Sequence, residues 1–400
     1  MKGADAARRI VRFPQHDRPL PARSDLERVA GLPLVQMFVV GRSGSGLVHA
    51  FLDGHPEVLH VPHTFKYYDF VTANTDLEGA DAAAWIDRFI ASPLVAFLFD
   101  SSRSVIVGGR LGPGMGVTVT VDPVAFRSAF MNAVGGIQMD ARRAFLAIVL
   151  AYGWAIGQDI AAAKVVFHHV HHGDWLWPQD LVERANYQPV RERRPEEILK
   201  ADRYVVSVSE PEQAFNSIVR FVPQLGLTSG AQVETRELLI RLLAQDWLRL
   251  DRARRARFDV HAIRLEDLRN DAAGTMALCA TWLGISPDVD ALRRLTYYGF
   301  EWFGDIFTSP SSTVKPVGKR TLPPWQDRNY LHTLLRDLPA ALGYNTQPPS
   351  ALRTMAAAVW PSPLLFDPER GAWDRYRSAR QHARSRAAFA ARFHAAVSAS

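Results

Sequence analysis

An apolar run that breaks into a loop of small residues is the feature that most constrains this chain. Residues 35–40 are mostly β-formers, residues 41–46 are glycine or serine apart from Arg42, and residues 47–52 are compatible with a helix. Small side chains let backbone N–H groups approach an anion, and the start of a helix adds a partial positive charge. The pattern therefore predicts a strand, a phosphate-binding loop and a helix.

The loop lacks the residues that cleave a triphosphate with magnesium. Such P-loops read G-x-x-x-x-G-K-[ST], in which the Lys reaches the terminal phosphates and the hydroxyl binds Mg²⁺. The spacing from Gly41 to Gly46 fits, but Leu47 and Val48 occupy the last two positions. This disfavours a nucleotide kinase or another phosphoryl transferase. Two interpretations of the loop alone stay open, a phosphate site without Mg²⁺ and a tight turn without a ligand.

Two neighbouring segments resemble the 5′-phosphosulfate loop of the sulfotransferases and the segment after it. They are Arg42-Ser43-Gly44-Ser45-Gly46-Leu47 and Phe51-Leu52-Asp53-Gly54-His55-Pro56-Glu57-Val58. Members of that family transfer a sulfuryl group from 3′-phosphoadenosine 5′-phosphosulfate (PAPS) to a hydroxyl or an amine. The resemblance implies that Arg42 stabilises charge at the transferring group. It also implies that Ser45 and the N–H groups of Ser43, Gly44 and Gly46 hold the 5′-phosphate, although Gly46 replaces a second hydroxyl.

A second segment resembles the part of the family that binds the 3′-phosphate of the donor. There the pattern is a strand, Arg-[Asp/Glu]-Pro, and a helix with Ser six residues after the Pro. Glu210, Pro211 and Ser217 match, but Ser209 stands where the Arg belongs. A guanidinium makes a strong charge-assisted contact with phosphate that a serine cannot replace. The substitutes open to the chain are Arg220 and the basic loop that contains Lys315, Lys319 and Arg320.

A third match, in the right chain order, is Ile263-Arg264-Leu265-Glu266-Asp267-Leu268 followed by Trp282-Leu283-Gly284. We interpret it as structural: a strand, an acidic turn and a helix that ends at Gly284. Together the matches predict an α/β, parallel-sheet, P-loop-like fold of the sulfotransferase type, with strands at 35–40, 164–168, 204–208 and 260–264. Ligands of such sheets bind beyond the strand C-termini, so residues 41–46, 169–174, 209–211 and 265–267 should face one crevice.

The predicted organisation has three parts. Residues 1–33 form a loosely packed lead-in, and residues 34–345 form the sulfotransferase-like domain. Within the domain, residues 69–157 are a helical insert on the acceptor side. Residues 346–400 are a basic helical C-terminal extension, which could dock on the domain, pair with a second chain or lie on an anionic surface.

Transfer to an acceptor needs a general base for the acceptor's proton. Histidines cluster after the first helix and after the second strand, and His63 and His171 match the family's acceptor side best. His55 is interpreted as a structural residue at the helix end. His169, His171 and Asp174 could ligate Zn²⁺, but without a further ligand group we expect no metal.

Composition agrees with an enzyme that handles an anionic small molecule. The chain has 400 residues, 47 Lys and Arg against 41 Asp and Glu, and a formal net charge of +6. That surplus suits an anionic donor and is too small to indicate nucleic acid. Cys279 is the single cysteine, which excludes an internal disulfide. No membrane-spanning run and no signal sequence are recognised, so a cytoplasmic protein is expected.

The sequence thus predicts a sulfotransferase that moves a sulfuryl group from PAPS to a small-molecule or carbohydrate acceptor without a metal. Its alternatives are a non-catalytic protein that has kept the fold, favoured by Ser209 and Gly46, and a transferase with a different nucleotide donor. Retained Arg42, Ser45 and Ser217 argue against the loss of binding.

Overall fold

The structure is a computed structural model that describes most of the chain. The described residues are 9–62, 65–104, 107, 110–170, 198–221, 233–255, 257–287, 290–304, 311, 313–314, 322–344, 386–395 and 397–398.

Nine strands and twelve α-helices have defined bounds in the described residues, and residues 386–395 are also helical. The strands are β1 (Arg9–Phe13), β2 (Leu34–Val39), β3 (Val58–His60), β4 (Val117–Val121), β5 (Val165–His169), β6 (Arg203–Val208), β7 (Val260–Arg264), β8 (Thr296–Tyr297) and β9 (Phe300–Glu301). The helices are α1 (Arg23–Ala30), α2 (Ser45–Asp53), α3 (Tyr67–Ala73), α4 (Ala82–Ala91), α5 (Ala96–Phe99), α6 (Pro123–Val134), α7 (Ala141–Ala155), α8 (Pro211–Phe221), α9 (Val233–Arg255), α10 (Leu265–Asn270), α11 (Ala272–Leu283) and α12 (Trp325–Leu335). Short 3₁₀ turns are Thr75–Leu77, Pro93–Val95, Ser101–Arg103, Pro113–Met115, Ile160–Ala162, Ala291–Arg293 and Pro339–Leu342.

The main sheet has five strands in the order β3-β5-β2-β6-β7. β2 and β3 both pair with β5 in parallel, with Leu34 opposite Val166 and Val58 opposite Val165. The α/β parallel-sheet prediction is confirmed. All four predicted strands form within one residue of their expected bounds. The first three are short, mostly apolar runs that are almost wholly buried, as in a sheet covered on both faces, whereas β7, at the sheet edge, buries only Ile263.

The chain divides into two units. Unit 1 comprises Met1–Phe38, Ser45–Val205 and Asp267–Pro316, and unit 2 comprises Val39–Gly44, Val206–Glu266 and Val317–Ser400. The insert that the sequence predicted as helical lies in unit 1 and carries α3 to α7 together with β4. Its core is aromatic: Trp85 stacks on Phe89 and on Phe130, with ring centroids 5.6 and 6.2 Å apart.

The lead-in differs from its expectation of loose packing. β1 pairs with β4 in parallel, from Arg9 opposite Val117 to Phe13 opposite Val121. α1 follows it and buries Leu26 and Val29. Arg9 and Val117 are 108 positions apart in the sequence. The composition of residues 9–13 alone cannot predict pairing with a strand so far along the chain.

Unit 2 closes around a buried ion-pair group. Asp327 of α12 is fully buried and accepts hydrogen bonds from Nε and Nη2 of Arg236, at 2.8 and 2.5 Å. Nη2 of Arg386 lies 3.5 Å from the other carboxylate oxygen, and the Arg386 guanidinium lies 4.6 Å from the Tyr330 ring. The helical residues 386–395 are therefore packed within unit 2, since Arg386 is only 1% exposed.

The helix that follows β7 begins earlier than the sequence predicted. An acidic turn was expected at Glu266 and Asp267, but α10 continues directly from β7 at Leu265. α11 then ends as predicted at Gly284, whose φ of 79° is left-handed.

No single described helix is long and apolar enough to cross a membrane. One bent pair, Ala82–Ala91 with Pro93–Phe99, passes by length and composition only.

Candidate functional site

Two glycines shape the phosphate-type loop within unit 2. Gly41 and Gly44 have φ values of 62° and 81°, a region that favours glycine. A Cβ on Gly44 would lie 2.4 Å from Cδ1 of Leu265, and one on Gly41 would lie 3.0 Å from Cδ1 of Leu243. The N–H of Gly41 donates to Oδ2 of Asp246 at 3.2 Å. Both the turn and the close approach of neighbouring side chains thus require glycine here.

Ser43 holds the loop against the end of β6. Its hydroxyl donates to the carbonyl of Ser207 at 2.7 Å and lies 2.9 Å from the Ser207 hydroxyl. Both serines are buried. Because this hydroxyl is engaged, Ser43 could contact a ligand through its backbone N–H, which is the role that the family resemblance implies.

Arg42 and Ser217 meet, although 175 positions separate them in the chain. Nε of Arg42 donates to Oγ of Ser217 at 3.2 Å. Arg42 is half-buried, and Ser217 lies on α8, which begins at Pro211 as the sequence predicted. The structure therefore brings together a loop residue and a helix residue that were predicted separately as nucleotide contacts. Arg220, one turn further along α8, is exposed.

Ser209 lies two residues beyond Ser207, at the end of β6. It is 1% exposed, and its hydroxyl has no hydrogen-bond partner among the described residues. Buried hydroxyls are normally paired, so this one is suited to contact a phosphate. The Ser217 hydroxyl and the Arg42 guanidinium, 3.2 Å apart, are further donors of unit 2, and the phosphate roles predicted for all three residues stay predictions.

Glu266 limits the donors available at the start of α8. Its Oε1 accepts the N–H of Glu210 at 2.9 Å, and its Oε2 accepts the hydroxyl of Tyr344 at 2.8 Å. That N–H precedes Pro211, which has no N–H of its own. An anion at this helix start would therefore depend on side chains more than on the first backbone amides of α8.

Ser45 and Gly46 belong to unit 1, where Ser45 begins α2. The first N–H groups of a helix have no partner inside the helix, which suits them to an anion. Ser45 is 7% exposed, and the carbonyl of Gly46 accepts the hydroxyl of Tyr297 at 3.2 Å. The roles predicted for their N–H groups and for the Ser45 hydroxyl stay predictions.

Four predicted site residues lie outside the described residues: His63, His171, Lys319 and Arg320. The predicted crevice beyond the strand ends, the base and the basic loop therefore stay predictions. His55 does have a structural role, because its Nε2 bonds the carbonyl of Ser286 at 2.8 Å and its Nδ1 accepts the N–H of Glu57.

Sequence reasoning missed a buried group of His49, Asp53 and His60 in unit 1. Nε2 of His60 lies 2.8 Å from Oδ1 of Asp53, and the ring of His49 lies 5.3 Å from that of His60. Burial lowers the pKa of His49 to about 3, and the charge of His60 adds to this. The available signal was the spacing of His49 and Asp53, which puts them one turn apart on a helix.

Asp53 stays ionised although it is buried. Burial raises its pKa, but the hydrogen bond from His60, the charges of His60 and His49, and the N–H of Gly299 more than offset this, so the pKa is lowered. Backbone N–H groups of Tyr298 and Gly299 donate to its two oxygens at 3.1 and 2.9 Å. The carboxylate is thus held by one imidazole and two amides.

No family model and no curated protein matches the sequence. Among solved structures, the chain is similar to the sulfotransferase domain of the Synechococcus PCC 7002 olefin synthase, at 14% identity over 92% of this chain and 97% of that one, with a TM-score of 0.34. It is also similar to the sulfotransferase domain from the curacin biosynthetic pathway, at 13% identity over 82% and 100%, with a TM-score of 0.40. A third similarity is to the sulfotransferase STF9 from Mycobacterium avium, at 13% identity over 69% and 68%, with a TM-score of 0.31.

Proposed function

We propose that the chain is a sulfotransferase that binds PAPS and transfers its sulfuryl group to a hydroxyl or an amine of a small-molecule or carbohydrate acceptor. The observation that carries the proposal is the contact of Arg42 with Ser217. Nε and Oγ lie 3.2 Å apart within unit 2, although the two residues were assigned to the donor from separate segments. A guanidinium and a hydroxyl that lie next to each other can together donate several hydrogen bonds to one phosphate.

Each loop residue has a defined task in this proposal. When bound, the donor supplies a sulfuryl group on a phosphate leaving group. Arg42 stabilises negative charge there, and the N–H groups of Ser43 and Gly44, with the start of α2, orient the anion. His63 or His171 is the proposed base for the acceptor's proton.

Ser209 stands where the family has an Arg, so donor binding depends on another residue supplying that positive charge. In the proposal Ser217 contacts the 3′-phosphate, while Arg42, whose Nε lies 3.2 Å from Oγ of Ser217, serves the transferring group. The basic loop with Lys319 and Arg320 is proposed to supply the missing charge at the 3′-phosphate. The loop lacks the Lys and Ser/Thr of magnesium-dependent P-loops, so no metal is proposed for the transfer.

A second candidate is a transferase or a binding protein for a nucleotide without a 3′-phosphate. It is favoured by the contact of Glu266 Oε1 with the N–H of Glu210, 2.9 Å apart, which puts a carboxylate at the start of α8. A carboxylate there opposes a second phosphate group through like charge.

Calorimetric titration separates the two candidates. The full chain is titrated with adenosine 3′,5′-bisphosphate and, as the matched control, with adenosine 5′-phosphate, both without Mg²⁺. We expect micromolar binding that is at least tenfold tighter for the 3′-phosphorylated nucleotide. Equal binding of both nucleotides would favour the second candidate, and binding of neither would contradict both.

If the 3′-phosphate is recognised, transfer is tested with PAPS and a panel of phenols, amines and sugars. The expected result is a sulfated acceptor together with adenosine 3′,5′-bisphosphate, detected by mass spectrometry. Nucleotide binding without any sulfated product would instead favour a non-catalytic protein.

A further inference from the structure

The histidine cluster of unit 1 is formed by His49, Asp53 and His60. Each offers one ligand atom, and the three atoms lie within 4.8 Å of one another. The side chains come from α2 and β3 and are 0, 4 and 1% exposed in chain order. The three groups therefore converge on one point inside unit 1.

Two imidazole nitrogens and one carboxylate oxygen are a typical ligand set for zinc. Bonds of 2.0–2.1 Å in a tetrahedral site put neighbouring ligand atoms about 3.3 Å apart. In this cluster Nε2 of His60 and Oδ1 of Asp53 are 2.8 Å apart, and all separations are at most 4.8 Å. Small side-chain rotations would thus bring all three atoms to bonding distance. We propose that His49, Asp53 and His60 bind a divalent transition-metal ion of the zinc class.

The surroundings hold the proposed carboxylate ligand in place, as the outer shells of metal sites do. Oδ1 of Asp53 accepts the N–H of Tyr298, and Oδ2 accepts the N–H of Gly299. These two residues form the turn between β8 and β9, with φ values of 55° and 74°. The ion would therefore tie α2 and β3 to this hairpin.

The hydroxyl of Tyr152 is suited to contact a water molecule on the proposed ion. Tyr152 is 1% exposed, and its hydroxyl has no hydrogen-bond partner among the described residues. Burial and the charges of Tyr298 and Asp53 raise the pKa of that hydroxyl, which puts Tyr152 near the cluster. A water bound to the ion could accept or donate one hydrogen bond there, as a water in a buried polar site must.

The burial of the cluster makes the proposed ion structural. No ligand is more than 4% exposed, so the ion must enter before unit 1 closes. It plays no part in the sulfuryl transfer proposed above, and the two proposals stand or fall separately.

Metal content of the whole chain is the first test. The chain is expressed without a histidine tag, dialysed without chelator and analysed by plasma mass spectrometry. It is then unfolded in urea with chelator, freed of both, and refolded with Co²⁺. We expect about one zinc per chain as purified and, after refolding, the intense visible absorption of tetrahedral cobalt. A chain with neither bound zinc nor that absorption would overturn the proposal.

Variants locate the ion. His60→Gln removes one ligand, and His55→Gln is the matched control, because His55 is a buried histidine nearby whose ring nitrogens are already engaged. We expect loss of most bound metal in His60→Gln and its retention in His55→Gln. Retention in both variants would place the metal elsewhere and overturn the proposal. If His60→Gln does not fold, the cobalt spectrum of the unaltered chain decides.

Discussion

The loop of unit 2 and the histidine cluster of unit 1 lie close in sequence but use polar groups in opposite ways. In the loop, Arg42 is half-buried and its Nε donates to the neutral hydroxyl of Ser217. In the cluster, the carboxylate of Asp53 is buried and held by three donors. A half-buried cation keeps part of its surface open to a soluble anion, whereas a buried carboxylate is costly unless several donors hold it. The loop is therefore suited to binding and the cluster to stability.

The largest effect is expected from Asp53→Asn. Both carboxylate oxygens accept backbone N–H groups, so either orientation of the amide puts its NH₂ against a donor. We expect a loss of about 3–5 kcal/mol in the free energy of unfolding, measured by urea denaturation.

The control for this change is Asp81→Asn. Asp81 caps α4 by accepting the N–H of Ala84, and asparagine caps a helix about as well. It should change stability by less than about 0.5 kcal/mol. If both substitutions lowered the free energy of unfolding equally, Asp53 would contribute no more to stability than an ordinary surface carboxylate.

Arg42→Gln should affect binding and not stability. Losing a charge-assisted contact of about 1.5–3 kcal/mol weakens a ligand by about 10- to 100-fold. Calorimetry with adenosine 3′,5′-bisphosphate measures this, and urea denaturation should show the same midpoint as the unaltered chain.

Arg254→Gln is the matched control for Arg42→Gln, because Arg254 is an exposed arginine of unit 2. Its effect on the affinity should be less than about twofold. A loss of affinity as large as that of Arg42→Gln would show that general surface charge, and not the loop, attracts the nucleotide.

His168→Phe tests burial in unit 1 through pH. Burial lowers the pKa of His168 to about 3, against about 6.5 in an unfolded chain. Below pH 6.5 the unfolded chain binds a proton that the folded chain does not, so stability present above that pH is lost as the pH falls. At about pH 5 the loss is about 2 kcal/mol, and His168→Phe should remove it.

Urea denaturation at about pH 7.5 and about pH 5 measures this difference. Phe167→Leu is the control, since Phe167 is a buried neighbour on the same strand that does not titrate. It should lower stability equally at both pH values. An unchanged pH dependence in His168→Phe would mean that His168 is not held neutral by burial.

The smallest effect is expected from Ser217→Ala. Removing one neutral hydroxyl contact costs about 1 kcal/mol, or about fivefold in affinity for adenosine 3′,5′-bisphosphate. Ser128→Ala, at an exposed serine in unit 1, should leave the affinity unchanged. A Ser217→Ala affinity equal to that of the unaltered chain would remove Ser217 from the proposed site.

Local sequence predicted the fold where local physics determines it. The strand at 165–169 starts with three β-formers and is buried throughout, and the left-handed φ at Gly284 follows from a helix end that only glycine adopts easily. β3 was missed because three residues are too few to show a pattern. β1 was missed because its partner, β4, is distant in the chain.

The site was predicted in part for the same reason. The family resemblance identified Arg42 and Ser217, and the structure puts them 3.2 Å apart. It placed Glu266 in an acidic turn with a structural role, but the contact of Glu266 with the N–H of Glu210 depends on how α10 approaches the end of β6. The histidine cluster also depends on tertiary contact, since His60 reaches Asp53 only after β3 has joined the sheet.

The ion-pair group of Asp327 has a consequence for the order in which the protein is made. Chains fold during synthesis in the order in which their parts leave the ribosome. Residues 41–44 and the buried Arg386 belong to the same unit although more than 300 residues separate them in the chain, so unit 2 is incomplete until Arg386 has been synthesised. Until then Asp327 has Arg236 alone as its charged partner among the described residues of the group. The buried carboxylate therefore gains its second guanidinium last, and unit 2 completes its core only when widely separated parts of the chain are present together.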